Sequence, residues 1–120
     1  GSEMCIRDSI IIKPLERKAI KTGLLISLKK GYEAQIRPRS GLALRKGITV
    51  LNSPGTIDAD YRGEITVVLV NLSSKDFQIC SGDRIAQMII VPVIQADFEL
   101  VDDFKKSSRG IKGFGSSGVN

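Results

Sequence analysis

The run Ile65-Thr66-Val67-Val68-Leu69-Val70-Asn71-Leu72 belongs to the most hydrophobic part of the chain. Six of its eight residues are apolar, so it lacks the simple alternation of a strand with one wet face. The run therefore predicts a strand that is buried on both faces, either between two sheets or at a subunit interface.

The stretch just before this strand is Gly55-Thr56-Ile57-Asp58-Ala59-Asp60-Tyr61-Arg62-Gly63-Glu64. It places two carboxylates, an aromatic ring and a guanidinium within five residues. Because Asp and Gly are poor strand formers, it predicts a tight loop that leads into the strand. Loops carried on rigid strands often hold binding and catalytic groups. A solvated hairpin turn is the alternative interpretation of the loop alone.

The rest of the chain shows short segments of strand type separated by turn signals, and no long segment has helical periodicity. One helical turn is predicted over residues 40–45, with Ser40 as its N-cap. We therefore predict an all-β sandwich or barrel. The other predicted strands cover residues 10–12, 19–28, 33–37, 47–51, 77–80, 85–94 and 98–101.

Composition narrows the classes of function. The 120 residues fit one domain, and 42% hydrophobic residues without Trp predict an aliphatic core. A net charge of +5 suits either simple solubility or an anionic partner, such as a nucleotide or nucleic acid. The absence of His and the isolation of Cys5 and Cys80 argue against a zinc site, which leaves Mg²⁺ on carboxylates or phosphates. No apolar run reaches the ~18 residues of a membrane span, so an intracellular, cytoplasmic setting is expected.

Three further segments carry groups that suit a phosphate-bearing ligand. Pro38-Arg39-Ser40-Gly41-Leu42 offers side-chain donors and a glycine that a ligand can approach closely. Gln87 is a polar residue in an apolar strand, either at an edge facing water or directed at a ligand. Residues 109–118 are Gly-rich with Arg, Lys and Phe, which suits a phosphate chain and a base. A mobile tail without a role is the alternative for this segment.

Read together and in order, these segments closely resemble four of the five motifs of the trimeric dUTPase family. The second motif is residues 38–42, the third residues 55–63 with Asn52 just before it, the fourth residues 82–87 and the fifth residues 109–118. The family's first motif, an Ala-Gly-x-Asp-Leu pattern, is not found in the sequence. It should lie upstream of Ile10, and we hypothesise that residues 1–9 are a non-native or disordered start.

The resemblance implies a jelly-roll-like, β-clip fold and a homotrimer whose active sites are shared between chains. Residues 10–103 would form the β domain and residues 104–120 a flexible lid. The implied reaction is hydrolysis of dUTP to dUMP and pyrophosphate with Mg²⁺ on the substrate's phosphates, and no side chain is assigned directly to the metal. Neither a membrane nor a specific nucleic acid is expected as a partner.

The resemblance also implies roles for single residues. Asp58 would orient and deprotonate the attacking water. Tyr61 would lie under the sugar and leave no room for a 2′-hydroxyl, whereas Asp60 and Arg62 would be structural. The other implied substrate-binding residues are Arg39, Ser40, Gly41 and Gln87 on the phosphates, Asn52 and Ile57 with the hairpin at the uracil, and Arg109, Phe114, Gly115, Ser116 and Ser117 in the lid.

Three alternatives are weighed from the sequence. The absence of the first motif leaves open a nucleotide-binding remnant with impaired catalysis and a nucleic-acid-binding module. The related dCTP deaminases carry a catalytic Glu in the strand after the third motif, where this chain has Val68. An aliphatic side chain cannot move protons, which argues against deamination.

Overall fold

The structure is a computed structural model that describes residues 2–5 by their backbone and residues 9–103 in full. These ranges contain nine strands and one short helix. The predicted all-β class is confirmed. The elements are β1 (Ser2–Cys5), β2 (Ile10–Ile12), β3 (Arg17–Lys21), β4 (Tyr32–Arg37), α1 (Ser40–Lys46), β5 (Ile48–Val50), β6 (Gly55–Ile57), β7 (Thr66–Asn71), β8 (Phe77–Ile79) and β9 (Arg84–Pro92).

The strands form three antiparallel sheets in a jelly-roll-like arrangement. The largest sheet has the order β1-β9-β4-β6, a second has the order β3-β7-β5, and β2 pairs with β8. Strand β7 is central in its sheet, and the successive residues Leu69, Val70 and Asn71 are all buried. Because successive side chains of a strand point to opposite faces, β7 is covered on both sides, as its sequence predicted.

The core is aliphatic, as the composition predicted. It brings together side chains from all three sheets, which bury β-branched and leucine side chains against one another. Phe77 packs at its margin and is the aromatic residue of this cluster. The buried members are Ile12, Ile20, Ile36, Ile48, Val50, Ile65, Val67, Leu69, Ile79, Ile85 and Ala86.

Two predicted strands are wrong in part or whole. The strand predicted over residues 19–28 ends at Lys21, because the Thr22 backbone N–H and hydroxyl both donate to the Ile65 carbonyl and Gly23 adopts a φ of 76°. Residues 98–101 are not a strand, and Phe98 and Leu100 are 96% and 104% exposed. A strand needs a hydrogen-bonding neighbour, and none of the described strands runs beside this segment.

Three local features also differ from the prediction. The N-cap position of α1 is Arg39 rather than Ser40, and it makes no side-chain capping bond. Residues 55–57, predicted as loop, pair with β4 as strand β6. Residues 2–5, for which the sequence showed no period, pair with β9 as strand β1. In the latter two cases a neighbouring strand supplies the hydrogen bonds that local propensity does not favour.

Within the described part of the chain, no helix combines the length and the apolar character that crossing a membrane requires.

Candidate active site

Pairing of β4 with β9 brings the second and fourth motifs together. Arg37, the last residue of β4, is the cross-strand partner of Gln87, and the Gln87 amide Nε2 lies 3.4 Å from the Pro38 carbonyl oxygen. Strand β9 lies between β1 and β4, so Gln87 is not at a sheet edge. The structure therefore removes the edge interpretation of this half-buried amide and places it beside the Pro-Arg-Ser-Gly turn.

A basic cavity of about 320 Å³ lies next to this turn. Four cationic side chains line it, and no carboxylate is among its lining residues. The positive charge of these side chains makes the cavity suited to an anion. The lining residues are Arg39, Gly41, Leu42, Arg45, Lys46 and Arg84.

The sequence analysis did not assign Arg45, Lys46 or Arg84 to this site. Arg45 lies one helical turn after Gly41, and its guanidinium packs on that glycine: a Cβ at Gly41 would lie 2.6 Å from Arg45 Nη2. The i, i+4 spacing of Gly41 and Arg45 was the available signal, because residues four apart share a helix face.

The loop after β6 forms a second, smaller cavity of about 220 Å³. Asp58 is the first residue after β6, and its side chain is exposed at this cavity. Ile57 and Tyr61 line the same cavity, so the structure brings these three predicted residues together. The remaining lining residues are Thr56, Ile65 and Thr66.

Hydrogen bonds within the loop fix its shape. The Tyr61 hydroxyl donates to the Glu64 carbonyl oxygen at 2.7 Å, and the Tyr61 N–H donates to the Asp58 carbonyl oxygen at 3.1 Å. The Arg62 guanidinium donates to the carbonyl oxygens of Ala59 and Tyr61. These hydrogen bonds support a structural role for Arg62 in the loop, which stays a prediction.

Asn52 also lies beside this hairpin. A Cβ placed on Gly55 would meet Asn52 Nδ2 at 3.6 Å and Oδ1 at 3.8 Å, so the amide lies close to the first residue of β6. Asp60 lines a wider groove of about 820 Å³, and Asp58 borders that groove as well. Of the two loop carboxylates, Asp58 is the one that lines both cavities.

The two groups of site residues lie at opposite ends of β4. Ile57 pairs with Ala34 near the start of β4, whereas Gln87 pairs with Arg37 at its end. Continuing this register, Asp58 lies near Glu33. Glu33 and Arg37 are four residues apart, or about 13 Å along the strand at ~3.3 Å per residue. The basic cavity and the Asp58–Tyr61 cavity share no lining residue. Within one chain the described site residues therefore fall into two separate groups, which we call half-sites.

The described structure does not place two parts of the prediction, the lid residues and the Mg²⁺. Arg109, Phe114, Gly115, Ser116 and Ser117 lie outside the described residues. For Mg²⁺, the described part of the chain contains no group of three or more Asp, Glu, His or Cys arranged to hold a metal ion. We therefore assign none of the described side chains as a metal ligand.

The sequence matches the family model for dUTPase over residues 1–118. The chain belongs to the dUTPase family. Curated relatives named deoxyuridine 5′-triphosphate nucleotidohydrolase support the same assignment. One from Hydrogenobaculum sp. is 56% identical over 115 residues, covering 96% of this chain and 80% of the relative. One from Ehrlichia canis is 59% identical over 114 residues, covering 93% and 74%. The chain is thus an enzyme, a hydrolase of the dUTPase family.

Solved dUTPase structures share the fold. A variant of the dUTPase of Staphylococcus bacteriophage 80alpha, solved with dUpNHpp, has a TM-score of 0.86 and 27% identity, covering 98% of this chain and 85% of that chain. A dUTPase variant of phage phi11 of S. aureus, described with a structural Mg(II) ion, has a TM-score of 0.79 and 22% identity, covering 87% and 84%. The jelly-roll-like dUTPase fold is therefore confirmed.

Proposed function

We propose that this dUTPase hydrolyses dUTP to dUMP and pyrophosphate at sites completed by neighbouring chains of a homotrimer. The observation that carries the proposal is the division of the site residues into two half-sites at opposite ends of β4. One half-site offers a carboxylate beside an aromatic ring, and the other offers cations beside an amide. Binding and hydrolysis of a nucleoside triphosphate need both sets of groups. A cytoplasmic location, where cysteines stay reduced, is part of the same proposal.

The half-site around Asp58 would hold the nucleoside and activate the water. Asp58 has an exposed carboxylate at the cavity wall, where it can accept a proton from a water directed at the α-phosphorus. The water oxygen would bond to that phosphorus while the bond to the bridging oxygen of the leaving pyrophosphate breaks. Tyr61 would pack under the deoxyribose and exclude a 2′-hydroxyl, and Asn52, Ile57 and the hairpin backbone would contact the uracil.

The half-site around Arg39 would bind the triphosphate. Arg39, Ser40 and Gly41 follow β4 directly, and Gln87 lies beside them on β9. The four cations of the basic cavity supply positive charge next to this turn. Mg²⁺ bound to the substrate's phosphates would neutralise part of their charge. The roles of this chain's residues are to orient the phosphates and to hold them against the Asp58 half-site of a second chain.

The segment after β9 supports association with other chains. Ile94, Phe98 and Leu100 are each at least 96% exposed, although all three are large apolar residues. A series of such side chains in water is unfavourable, and contact with another chain would bury them. A second copy of this chain is the partner that the implied homotrimer supplies.

Mixing two inactive variants tests the shared site. We expect Asp58→Asn chains and Gln87→Ala chains each to be nearly inactive alone. After joint refolding in equal amounts, some sites should combine an intact Gln87 from one chain with an intact Asp58 from its neighbour. Random assembly gives about a quarter of the wild-type activity per site. Turnover of dUTP is the measurement, and mixed samples that stay as inactive as the separate variants would contradict the shared site.

Deleting residues 109–120 tests the proposed lid. A Gly-rich segment of this composition cannot contribute a core, so its loss should leave the free energy of unfolding within about 1 kcal/mol of the full chain. Closure over the bound nucleotide excludes water and positions the phosphates, so we expect kcat to fall by about 100-fold. Urea unfolding and dUTP turnover are measured on the same preparation. An unchanged rate would reject the lid.

The same assay separates the alternative functions. Val68 is a half-buried residue of β7 paired with Ala19, and it offers no proton-transfer group at the position of the deaminases' Glu. We therefore expect pyrophosphate from dUTP with Mg²⁺, and no ammonia from dCTP. Binding of dUTP without cleavage would favour a nucleotide-binding remnant. Salt-sensitive binding of a polynucleotide without turnover would favour a nucleic-acid-binding module.

A further inference from the structure

We propose that Gly63 and Glu64 determine the preference for a deoxyribose sugar by fixing the position of the Tyr61 ring. The inference rests on the proposed function, in which Tyr61 lies under the sugar. Tyr61 is 45% exposed, so core packing does not fix its ring. A ring that excludes a single hydroxyl group must nevertheless be held in place. The contacts around it come from the two residues that end the loop.

Gly63 provides the space that the ring occupies. A Cβ at Gly63 would lie 2.4 Å from the Tyr61 hydroxyl oxygen, 2.7 Å from Cζ and 3.1 Å from Cε1. Carbon atoms in contact lie about 3.5–4.0 Å apart, so any side chain at position 63 displaces the ring edge. Gly63 is not among the described glycines with a positive φ. Its requirement is therefore one of space rather than of backbone conformation.

Glu64 holds the same hydroxyl end of the ring in place, and a second Glu64 atom anchors the residue itself. Its carbonyl oxygen accepts the Tyr61 hydroxyl at 2.7 Å, and its side-chain Oε2 accepts the Gly23 N–H at 2.6 Å. The next residue, Ile65, donates its N–H to the Leu24 carbonyl oxygen and accepts from Thr22. The acceptor of the Tyr61 hydroxyl is thus anchored to the Thr22–Leu24 segment. The hydrogen bond that the Glu64 carboxylate accepts is charge-assisted and therefore stronger than a neutral one.

The test measures, in the full chain, the ratio of kcat/KM for dUTP to kcat/KM for UTP. We expect Gly63→Ala to lower this ratio about tenfold, because small misplacements of positioning groups cost large factors in rate. Glu64→Ala should lower the ratio about fivefold, whereas Glu64→Gln, whose amide oxygen can still accept the Gly23 N–H, should stay within about twofold of wild type. Tyr61→Phe, which keeps the ring but loses the bond to Glu64, gives an independent variant if Gly63→Ala fails to fold.

Two controls separate positioning from a general structural effect. Glu16→Ala removes a carboxylate that likewise accepts a backbone N–H, from Lys13 at 2.8 Å, in a different turn, and should leave the ratio unchanged. In a Tyr61→Ala background, Gly63→Ala should have no further effect on the ratio, because residues that act through one another are not additive.

The outcomes distinguish this inference from the function on which it rests. A wild-type chain that does not hydrolyse dUTP overturns the proposed function and the inference with it. A wild-type chain that prefers dUTP, with Gly63→Ala, Glu64→Ala and Tyr61→Phe all keeping its ratio, overturns the inference alone. An equal loss of both kcat/KM values, with the ratio constant, also overturns it, because that result indicates only a structural role.

Discussion

Replacing Asp58 by Asn is expected to lower kcat for dUTP by about 10²–10⁴-fold, the usual contribution of a positioned general base. The amide keeps the size and most of the hydrogen bonding of the carboxylate but cannot accept a proton from water. Asp58 is exposed at a cavity wall, and none of the loop hydrogen bonds described above involves its side chain. The substitution should therefore leave folding intact, with a free energy of unfolding within about 0.5 kcal/mol of wild type.

Asp60 supplies the matched control for this prediction. It is an exposed carboxylate two residues further along the same loop, and it faces the wider groove rather than the Asp58–Tyr61 cavity. We expect Asp60→Asn to stay within about threefold of the wild-type kcat. Steady-state release of pyrophosphate from dUTP with Mg²⁺ is the measurement. If both substitutions have equal effects, or if Asp58→Asn keeps more than a tenth of the wild-type rate, Asp58 is not the general base.

The second large effect concerns stability and arises from Asn71, which is fully buried at the end of β7. Its Nδ2 donates to the carbonyl oxygens of Ile12 at 2.9 Å and Lys75 at 2.7 Å. Its Oδ1 accepts the N–H and the hydroxyl of Ser73 at 2.9 Å and 2.7 Å. All four hydrogen-bonding positions of this amide are thus used, and they join β2 to the turn between β7 and β8.

Asn71→Asp tests this network without a change of volume. The carboxylate keeps the two bonds from Ser73 but turns an oxygen toward the two carbonyl oxygens that the amide had satisfied. We expect the free energy of unfolding to fall by about 3–5 kcal/mol at neutral pH, the scale of an uncompensated buried charge. Urea unfolding is measured at one fixed protein concentration, because association of chains contributes to the apparent stability.

Ser73→Ala is the control within the same network. It removes a hydroxyl that donates to Asn71 Oδ1 and accepts the exposed Lys75 N–H at 3.2 Å. Asn71 Oδ1 keeps the Ser73 N–H, so a loss of about 1 kcal/mol is expected. If Asn71→Asp costs no more than Ser73→Ala, the buried amide does not carry the stability assigned to it.

The sequence predicted the parts of the fold that hydrophobic pattern controls. Strand β7 is buried on both faces because its residues are apolar without alternation, and the core is aliphatic because the chain has few aromatic residues. Gly31 lies just before β4, and its φ of 94° explains why glycine stands there. These features depend on local composition, so a single sequence is sufficient to find them.

The sequence was less informative where a distant partner decides the structure. Strand β6 was predicted as loop, yet β4 gives it hydrogen bonds, whereas residues 98–101 have strand-like side chains and no neighbouring strand among those described. Gln87 looked equally like an edge residue until the β4–β9 register placed it inside a sheet beside Pro38. Strand order and register are long-range properties, and local propensity does not contain them.

The candidate site divides in the same way. The sequence by itself determined which residue types are available: the Asp58 carboxylate, the Tyr61 ring, the Arg39 guanidinium and the glycines between them, in an order that resembles the dUTPase motifs. Only the tertiary structure decided that these groups form two half-sites at opposite ends of β4, and that Gly63 and Glu64 fix the Tyr61 ring. The physical reason is that antiparallel pairing converts sequence order into position. Residues that follow β4 and β6 therefore leave the sheet at opposite ends, however similar their chemistry.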